Sequence, residues 1–184
     1  MNITVISGTN RKGSNSLKVA NDVANMYRSE GQNVTILNLE ELPKEIFDPN
    51  IYSQKPKPTS FEPFQNAIIQ ADGVVIVIPE YNGSYPGALK YFIDMLSYPE
   101  SFERRPVAFV GISSNPWGAI RPIEHMQGVW GYRNAFMFNE RVFIPKIWGE
   151  LDEHGRIKEG VTRDLLLSQT KNFCIFIKNN ASWV

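Results

Sequence analysis

Gly73-Val74-Val75-Ile76-Val77-Ile78 is an unbroken apolar run that Pro79 ends. A strand with one face in water alternates apolar and polar residues, whereas a strand without polar positions must bury both of its faces. The central strand of a parallel sheet, covered by helices on both sides, meets that requirement. The run therefore predicts the middle strand of a parallel sheet.

Further apolar runs on both sides of this segment extend the sheet. Strands are predicted over Ile3–Ser7, Asn33–Leu39, Pro106–Ser113 and Asn134–Phe138. Helical spacing of apolar residues predicts helices over 17–27, Phe61–Ala71, Pro86–Leu96, Trp117–Gly131 and Val161–Lys178. Residues 40–60 are rich in proline and polar residues, which predicts a long loop. Because crossover connections are right-handed, this alternation predicts an α/β fold with helices on both faces of one parallel sheet.

The composition favours one ordinary domain without a membrane or nucleic-acid partner. A length of 184 residues fits a single domain, expected here over residues 1–184. Nineteen basic residues balance nineteen acidic ones. Nucleic-acid binders normally carry a basic excess, and electron carriers that dock on basic partners are acidic, so the balance disfavours both classes. No apolar stretch is long enough to span a bilayer, and no secretory signal is seen at the N-terminus.

Cysteine and histidine usage argues against a disulfide or a metal centre. Cys174 is the single cysteine, so it can form no intramolecular disulfide, and we expect it in the core. A reducing, cytoplasmic location is therefore expected. His125 and His154 are far apart and lack a cluster of ligands, so no metal site is predicted. Nor does the sequence show a Ser/His/Asp or Cys/His set that would supply a catalytic nucleophile.

The loop after the first strand, GTNRKGSNS at residues 8–16, has the composition of a phosphate site. Open parallel sheets bind ligands beyond the carboxyl ends of their strands, and the N–H groups at a helix start attract anions. Hydroxyl groups in the loop can donate to phosphate oxygens, and Arg11 adds a charge-assisted contact. A terminal phosphomonoester fits such a loop; the alternative is a solvated turn with a serine N-cap.

Two familiar phosphate loops do not match this segment. The ATPase pattern G-x-x-x-x-G-K-[ST] needs lysine at position 14, where this chain has Ser14. The dinucleotide pattern G-x-G-x-x-G needs a glycine where Asn10 stands. A mononucleotide phosphate is therefore favoured over ATP or a dinucleotide.

The loop after the central strand, PEYNGSYPG at residues 79–87, suits a flat ring. Tyr81 can lie against a heteroaromatic ring, Asn82 can donate or accept a hydrogen bond, and Gly83 lets backbone N–H groups approach closely. The alternative is a turn rich in proline and glycine. Together, the two loops predict a mononucleotide with a large flat ring.

These two segments resemble the NADPH-dependent FMN reductase family, the flavodoxin-like group that includes chromate, quinone and azo-dye reductases. The resemblance is carried by GTNRKGSNS at 8–16 and by PEYNGSYPGALKYFIDM at 79–95, and it extends from residue 3 to about residue 120. It implies a three-layer sandwich around a five-stranded parallel sheet in the order 2-1-3-4-5. It also implies that the chain is one flavodoxin-like domain that binds FMN and uses NADPH as co-substrate.

The resemblance also implies which residues contact the cofactor. The FMN phosphate would be held by Thr9, Arg11, Ser14, Asn15 and Ser16. The isoalloxazine ring would be bordered by Pro79, Glu80, Tyr81, Asn82, Gly83 and Ser84. A third loop would place Ser113 and Trp117 at the other edge of the ring. Relatives usually have a small, glycine-rich stretch there, whereas this chain has Asn115-Pro116-Trp117.

The function implied is that of a flavoprotein oxidoreductase. NADPH would pass a hydride through bound FMN to a small acceptor such as a quinone, an azo or nitro compound, chromate or free flavin. The flavin carries the chemistry, so no side chain is expected to be catalytic, and backbone N–H groups of residues 80–84 would stabilise charge on the reduced ring. The alternative is a flavodoxin-type electron carrier without its own NADPH reaction. The neutral charge balance favours the enzyme.

Aromatic residues are frequent in the C-terminal part of the chain. Trp130, Trp148 and Trp183 accompany several phenylalanines there, more than a small monomer easily buries. An apolar contact between copies of the chain is therefore expected. Relatives are usually dimers or tetramers, so the resemblance implies a homodimer or homotetramer.

Overall fold

The computed structural model describes residues 1–54 and 56–180, and the apolar run forms strand β3 in the middle of its sheet. The strands are β1 (Asn2–Ser7), β2 (Asn33–Asn38), β3 (Gly73–Pro79), β4 (Pro106–Ile112), β5 (Phe136–Met137) and β6 (Val142–Ile144). The helices are α1 (Asn15–Ser29), α2 (Glu62–Ile69), α3 (Gly87–Met95), α4 (Ile120–Tyr132), α5 (Ile147–Glu150) and α6 (Val161–Asn180). All pairings are parallel and the order is β2-β1-β3-β4-β5, which confirms the predicted flavodoxin-like topology.

Two short strands, β5 and β6, share the outer edge of β4. Phe136 pairs with Pro106, whereas Val142 pairs with Val110, so the chain between β5 and β6 is longer than the part of β4 that it passes. Gln169, which is buried, donates from Nε2 to the carbonyl oxygens of Phe109 at 3.0 Å and Glu140 at 2.7 Å. This side chain satisfies backbone carbonyls where the ladder is interrupted. A single strand over 134–138 was expected, and that expectation missed β6.

Apolar side chains of β3 alternate between two cores. Ile76 and Ile78 pack on the side of α3 and α4, in a cluster with Phe92 and Trp130. Val75 and Val77 pack on the other side, against apolar residues of α1 and α6. Burial of both faces is the property that the unbroken apolar run predicted.

Helix α4 begins three residues later than expected. Gly118 and Ala119 have φ of 64° and 65°, in the left-handed region, so the right-handed helix cannot include them. The predicted loop over 40–60 is also partly helical, since short 3₁₀ helices occupy Leu39–Glu41, Lys44–Phe47 and Pro49–Ser53. Among the residues described, no helix has the length and apolar character needed to cross a membrane.

Cys174 on α6 is buried, as expected, and its reactivity offers a test of the packing. Burial raises the pKa of its thiol, which favours the unreactive protonated form. We expect Ellman's reagent at mild alkaline pH to label the folded protein slowly and the guanidinium-unfolded protein quickly and stoichiometrically. Fast labelling of the folded protein would show that α6 is not packed as described.

Candidate active site

The loops after β1 and β3 meet at the carboxyl edge of the sheet. Oγ1 of Thr9 and the phenolic oxygen of Tyr81 lie 2.9 Å apart, within hydrogen-bond distance. Both loops line one cavity of about 220 Å³. Eight residues predicted from the sequence lie on its wall: Arg11, Ser14, Asn15, Ser16, Pro79, Glu80, Tyr81 and Ser113. The structure therefore brings together the two segments in which the sequence predicted a phosphate site and a ring site.

Gly8 allows the first loop to pass close to β3. Its N–H donates to the carbonyl oxygen of Val77 at 2.9 Å. A Cβ at this position would lie 2.6 Å from that same oxygen, closer than real Cβ contacts come. Glycine is thus needed where the chain leaves β1, and the close approach sets the position of the phosphate-type loop beside the loop after β3.

The start of α1 is arranged to receive an anion. Ser14 is the N-cap and accepts a hydrogen bond from the N–H of Leu17 at 3.2 Å, and the first turn carries no acidic residue. The charged side chains on the cavity wall are Arg11, Lys12, Lys18 and Glu80, so positive charge is in excess. Hydroxyls, free positive charges and the helix dipole together suit a phosphomonoester. The donor set at this end of the cavity fits the phosphate of FMN.

The loop after β3 closes in a tight turn. Tyr81 donates its N–H to the carbonyl of Ser84 at 2.8 Å, and Ser84 donates back to Tyr81 at 3.0 Å. Asn82 and Gly83 between them have φ of 51° and 77°, as a type I′ turn requires. The N–H of Glu80 donates to Ile112. In the described structure of this loop, the N–H groups of Asn82 and Gly83 lack a partner, whereas those of Glu80, Tyr81 and Ser84 are bonded within the protein. That N–H groups of residues 80–84 stabilise charge on the reduced ring stays a prediction.

Ser84 ties this turn to α4. Its Oγ lies 2.9 Å from Nδ1 of His125, which stands exposed on that helix. Asn82, Gly83 and Ser84 shape the turn but do not line the cavity that the two loops share. Their contacts with a cofactor stay predictions.

The loop between β4 and α4 points Trp117 into a second cavity. The Asn115 side-chain oxygen accepts from the N–H of Trp117 at 2.8 Å, and Ser113 Oγ accepts from the N–H of Gly118 at 3.0 Å. Trp117 is 69% exposed and lines a cavity of about 280 Å³ together with Glu80, Ile120 and Arg121. Because Glu80 lines both cavities, the two are neighbours. The structure places Trp117 beside the predicted ring site rather than on the wall of the first cavity.

Sequence reasoning missed one wall of the first cavity. Ile147 and Trp148 of α5 line it, Ile147 donates its N–H to the carbonyl of Ser113 at 2.9 Å, and Trp148 is 71% exposed. Two hydrogen bonds fix the chain that follows α5. Lys158 Nζ donates to the carbonyl of Gly149 at 2.8 Å, and Asp22 accepts from the N–H of Ile157 at 2.8 Å. α5 has only four residues, too few for a periodic signal. The one unusual feature of this segment in the sequence is Trp148, a tryptophan in a polar stretch.

The contact between Thr9 and Tyr81 predicts an energetic coupling between the two loops. In a double-mutant cycle of Thr9→Val and Tyr81→Phe, we expect a coupling of about 1 kcal/mol in the free energy of unfolding, typical of a partly buried hydrogen bond. Denaturant titration of the four proteins measures it. Tyr85→Phe in place of Tyr81→Phe serves as the control and should show no coupling to Thr9→Val. Purely additive effects of the first pair would mean that the loops are not joined through these two oxygens.

Comparison with known proteins agrees with this geometry. The family model described as NADPH-dependent FMN reductase matches residues 1–149. A quinone reductase of Escherichia coli (strain K12) is 29% identical over 97% of this chain and 96% of its own. A 2-hydroxy-1,4-benzoquinone reductase of a Burkholderia species is 29% identical over 100% of this chain and 96% of its own.

A solved structure supports the fold. The flavoenzyme NAD(P)H:(acceptor) oxidoreductase FerB of Paracoccus denitrificans superposes with a TM-score of 0.77 over 97% of this chain and 98% of its own. Its sequence identity to this chain is 22%.

Proposed function

Because the chain belongs to the NADPH-dependent FMN reductase family, we propose that it binds FMN in the first cavity, oxidises NADPH and reduces a small acceptor. A quinone is the acceptor that we propose first, since two relatives of nearly equal length are named quinone reductases. Azo compounds, nitro compounds, chromate and free flavin are the other candidates. The balanced reaction is NADPH plus a proton plus quinone giving NADP⁺ plus hydroquinone.

The observation that carries this proposal is the junction of the two loops in one cavity. Arg11 and the start of α1 supply positive charge and hydrogen-bond donors to the cavity, and Tyr81 supplies an aromatic surface. A ligand that combines a phosphate with a flat ring matches these two sets of groups. Ser14, Asn15 and Ser16 would hold the phosphate beside Thr9, whose hydroxyl is bonded to Tyr81.

The residues around the proposed position of the isoalloxazine ring would orient the ring and shield it from solvent. Bound FMN would supply the hydride chemistry between NADPH and the acceptor. Tyr81 and Trp148 both line the cavity and would offer apolar surface to the ring. Asn82 and Gly83 do not line the first cavity, so we propose that an edge of the ring extends beyond it to their free N–H groups, whose hydrogen bonds would stabilise developing negative charge. No side chain acts as a nucleophile in this scheme.

The alternative function, an electron carrier without an NADPH reaction, finds no support. The relatives named above are reductases, and the equal numbers of acidic and basic residues lack the acidic excess of a docking carrier. Initial rates separate the two functions. With FMN-loaded protein, NADPH and a quinone, we expect turnover without any added reductase and parallel double-reciprocal lines, because both substrates use one ring face in turn. Turnover only after a second reductase is added would favour the carrier.

We propose in addition that residues 1–184 form one FMN-binding domain, that the protein works in the cytoplasm, and that it is a homodimer or homotetramer. The buried free Cys174 supports a reducing compartment. The exposed aromatic side chains of Tyr91, Tyr132 and Trp148 support a contact between copies; Trp183 lies outside the described residues. Sedimentation equilibrium tests the oligomer, and a single monomeric mass at micromolar concentration would reject it.

A further inference from the structure

The second cavity, lined by Glu80, Trp117, Ile120 and Arg121, has the features of a separate ligand site. Its volume of about 280 Å³ suits a small aromatic molecule. Glu80 stands between it and the first cavity, so a molecule in the second cavity would lie next to the proposed flavin ring. A substrate that exchanges electrons with the ring needs this proximity.

Trp117 is exposed, and the loop between β4 and α4 that carries it is fixed by internal hydrogen bonds. Beyond the two hydrogen bonds described above, Ser113 Oγ donates to the Asn115 side-chain oxygen at 2.9 Å. Gly118 fits only as glycine, because a Cβ there would lie 2.9 Å from Cβ of Phe143. These contacts fix the backbone that carries the exposed indole. A large aromatic ring kept in solvent at the rim of a cavity is suited to stack on a planar ligand.

Arg121 supplies an unpaired positive charge at the same cavity. The guanidinium Nη1 lies 3.9 Å from the position that a Cβ on Gly83 would take, so it rests against the Tyr81–Ser84 turn. No carboxylate of the described residues lies within ion-pair distance of it. Glu80 carries the opposite charge on the side of the first cavity. The cavity is therefore polarised, and an anionic group would be drawn to the Arg121 end.

We propose that this cavity is the acceptor subsite and that it selects planar aromatic acceptors bearing an anionic group, such as a sulfonate, a carboxylate or an ionised hydroxyl. Trp117 stacks on the acceptor ring, and Arg121 pairs with the anionic substituent. The inference rests on the proposed function, which it deepens by naming the substrate class.

The test uses FMN-loaded protein and two ligands that cannot be reduced: a naphthalenesulfonate and the matching uncharged naphthalenesulfonamide. Calorimetric titration of the oxidised protein gives both dissociation constants without turnover. Arg121→Gln should weaken sulfonate binding about tenfold, the size of one charge-assisted contact, and sulfonamide binding by less than about twofold. Arg121→Lys should retain part of the sulfonate affinity. Trp117→Ala should weaken both ligands about equally, since both lose the stacking surface.

A kinetic arm uses anthraquinone sulfonate and its sulfonamide as acceptors. Arg121→Gln should lower kcat/KM about tenfold for the sulfonate alone. Arg133→Gln, which removes the same charge at the other end of α4, is the matched control and should change neither ligand's affinity.

Three other results would contradict the proposed subsite or the proposed function beneath it. If Arg121→Gln lowers the affinity for the sulfonate and the sulfonamide equally, or lowers neither, Arg121 does not bind the anionic group. A rise in KM for NADPH but not NADH, with sulfonate binding intact, would also overturn this role of Arg121 and assign the charge to the coenzyme phosphate. FMN uptake by the wild-type protein is recorded first: if uptake fails, the proposed function falls, whereas uptake without ligand discrimination removes this inference alone.

Discussion

Replacing Arg11 by alanine is expected to weaken FMN binding about 30-fold, the effect of losing one hydrogen-bonded charge on a phosphate. Arg11 lies on the cavity wall beside the start of α1, where no acidic residue offsets its charge. Riboflavin has the same ring without the phosphate. Its affinity should therefore change by less than about twofold, because the substitution leaves Tyr81 and the other proposed ring contacts in place. Quenching of flavin fluorescence during titration of the FMN-free protein measures both affinities.

The control for this experiment is Arg28→Ala, which removes the same charge at the last turn of α1, far from the cavity. It should leave both flavin affinities unchanged. Equal weakening of FMN and riboflavin in Arg11→Ala would place Arg11 at the ring instead of the phosphate. Unchanged FMN affinity would remove the loop after β1 from the cofactor site.

Replacing Asp22 by alanine is expected to lower the free energy of unfolding by about 3 kcal/mol, at the low end for breaking a buried ion pair. The carboxylate is 3% exposed, and its Oδ2 accepts from the N–H of Ile157 at 2.8 Å and from Arg163 at 3.3 Å. Arg163 keeps a second partner in Glu159, which limits the loss. Denaturant titration at neutral pH measures the change.

The same substitution should also weaken FMN binding. Asp22 anchors the chain that follows α5, and α5 carries Trp148 on the cavity wall. The affinity of Asp22→Ala for FMN and for riboflavin should fall together, since Trp148 is proposed to face the ring, which both flavins share. Asp22→Asn keeps an oxygen acceptor for Ile157 and should lose less stability than the alanine variant.

Asp94→Ala is the matched control for Asp22→Ala. It breaks the exposed Lys90–Asp94 pair on α3, whose side chains are 42% and 36% exposed, and should cost less than about 0.5 kcal/mol. A loss below about 1 kcal/mol in Asp22→Ala would show that the buried carboxylate does not hold the C-terminal segment in place.

The apolar pattern predicted a parallel sheet with residues 73–78 as its central strand, whereas the order of the strands was implied by the family resemblance. GVVIVI at 73–78 cannot be placed anywhere but between two layers of helix, and its neighbours are similar. β6 was missed because its three residues are too few to show a period. The start of α4 was placed too early because left-handed backbone at Ala119 leaves no mark in the apolar pattern.

Part of the site was predictable because it lies at the edge of the predicted parallel sheet. Loops after neighbouring parallel strands meet at one edge of the sheet, so the sequence predicted that residues 8–16 and 79–84 lie close together. The wall formed by Trp148 could not be predicted, because it depends on a tertiary anchor at Asp22, 135 residues earlier in the chain than the N–H it holds. Nor could the sequence show that Trp117 faces a second cavity.

The absorbance spectrum of the purified protein, recorded with FMN and then with NADPH in the absence of oxygen, tests the central claim most directly. We expect the protein to retain FMN through gel filtration, to lose the visible flavin band when NADPH is added, and to regain it when a quinone follows. A protein that elutes colourless after incubation with FMN, or whose bound FMN keeps its colour in NADPH, would contradict the claim that the two loops form the site of an NADPH-dependent flavoenzyme.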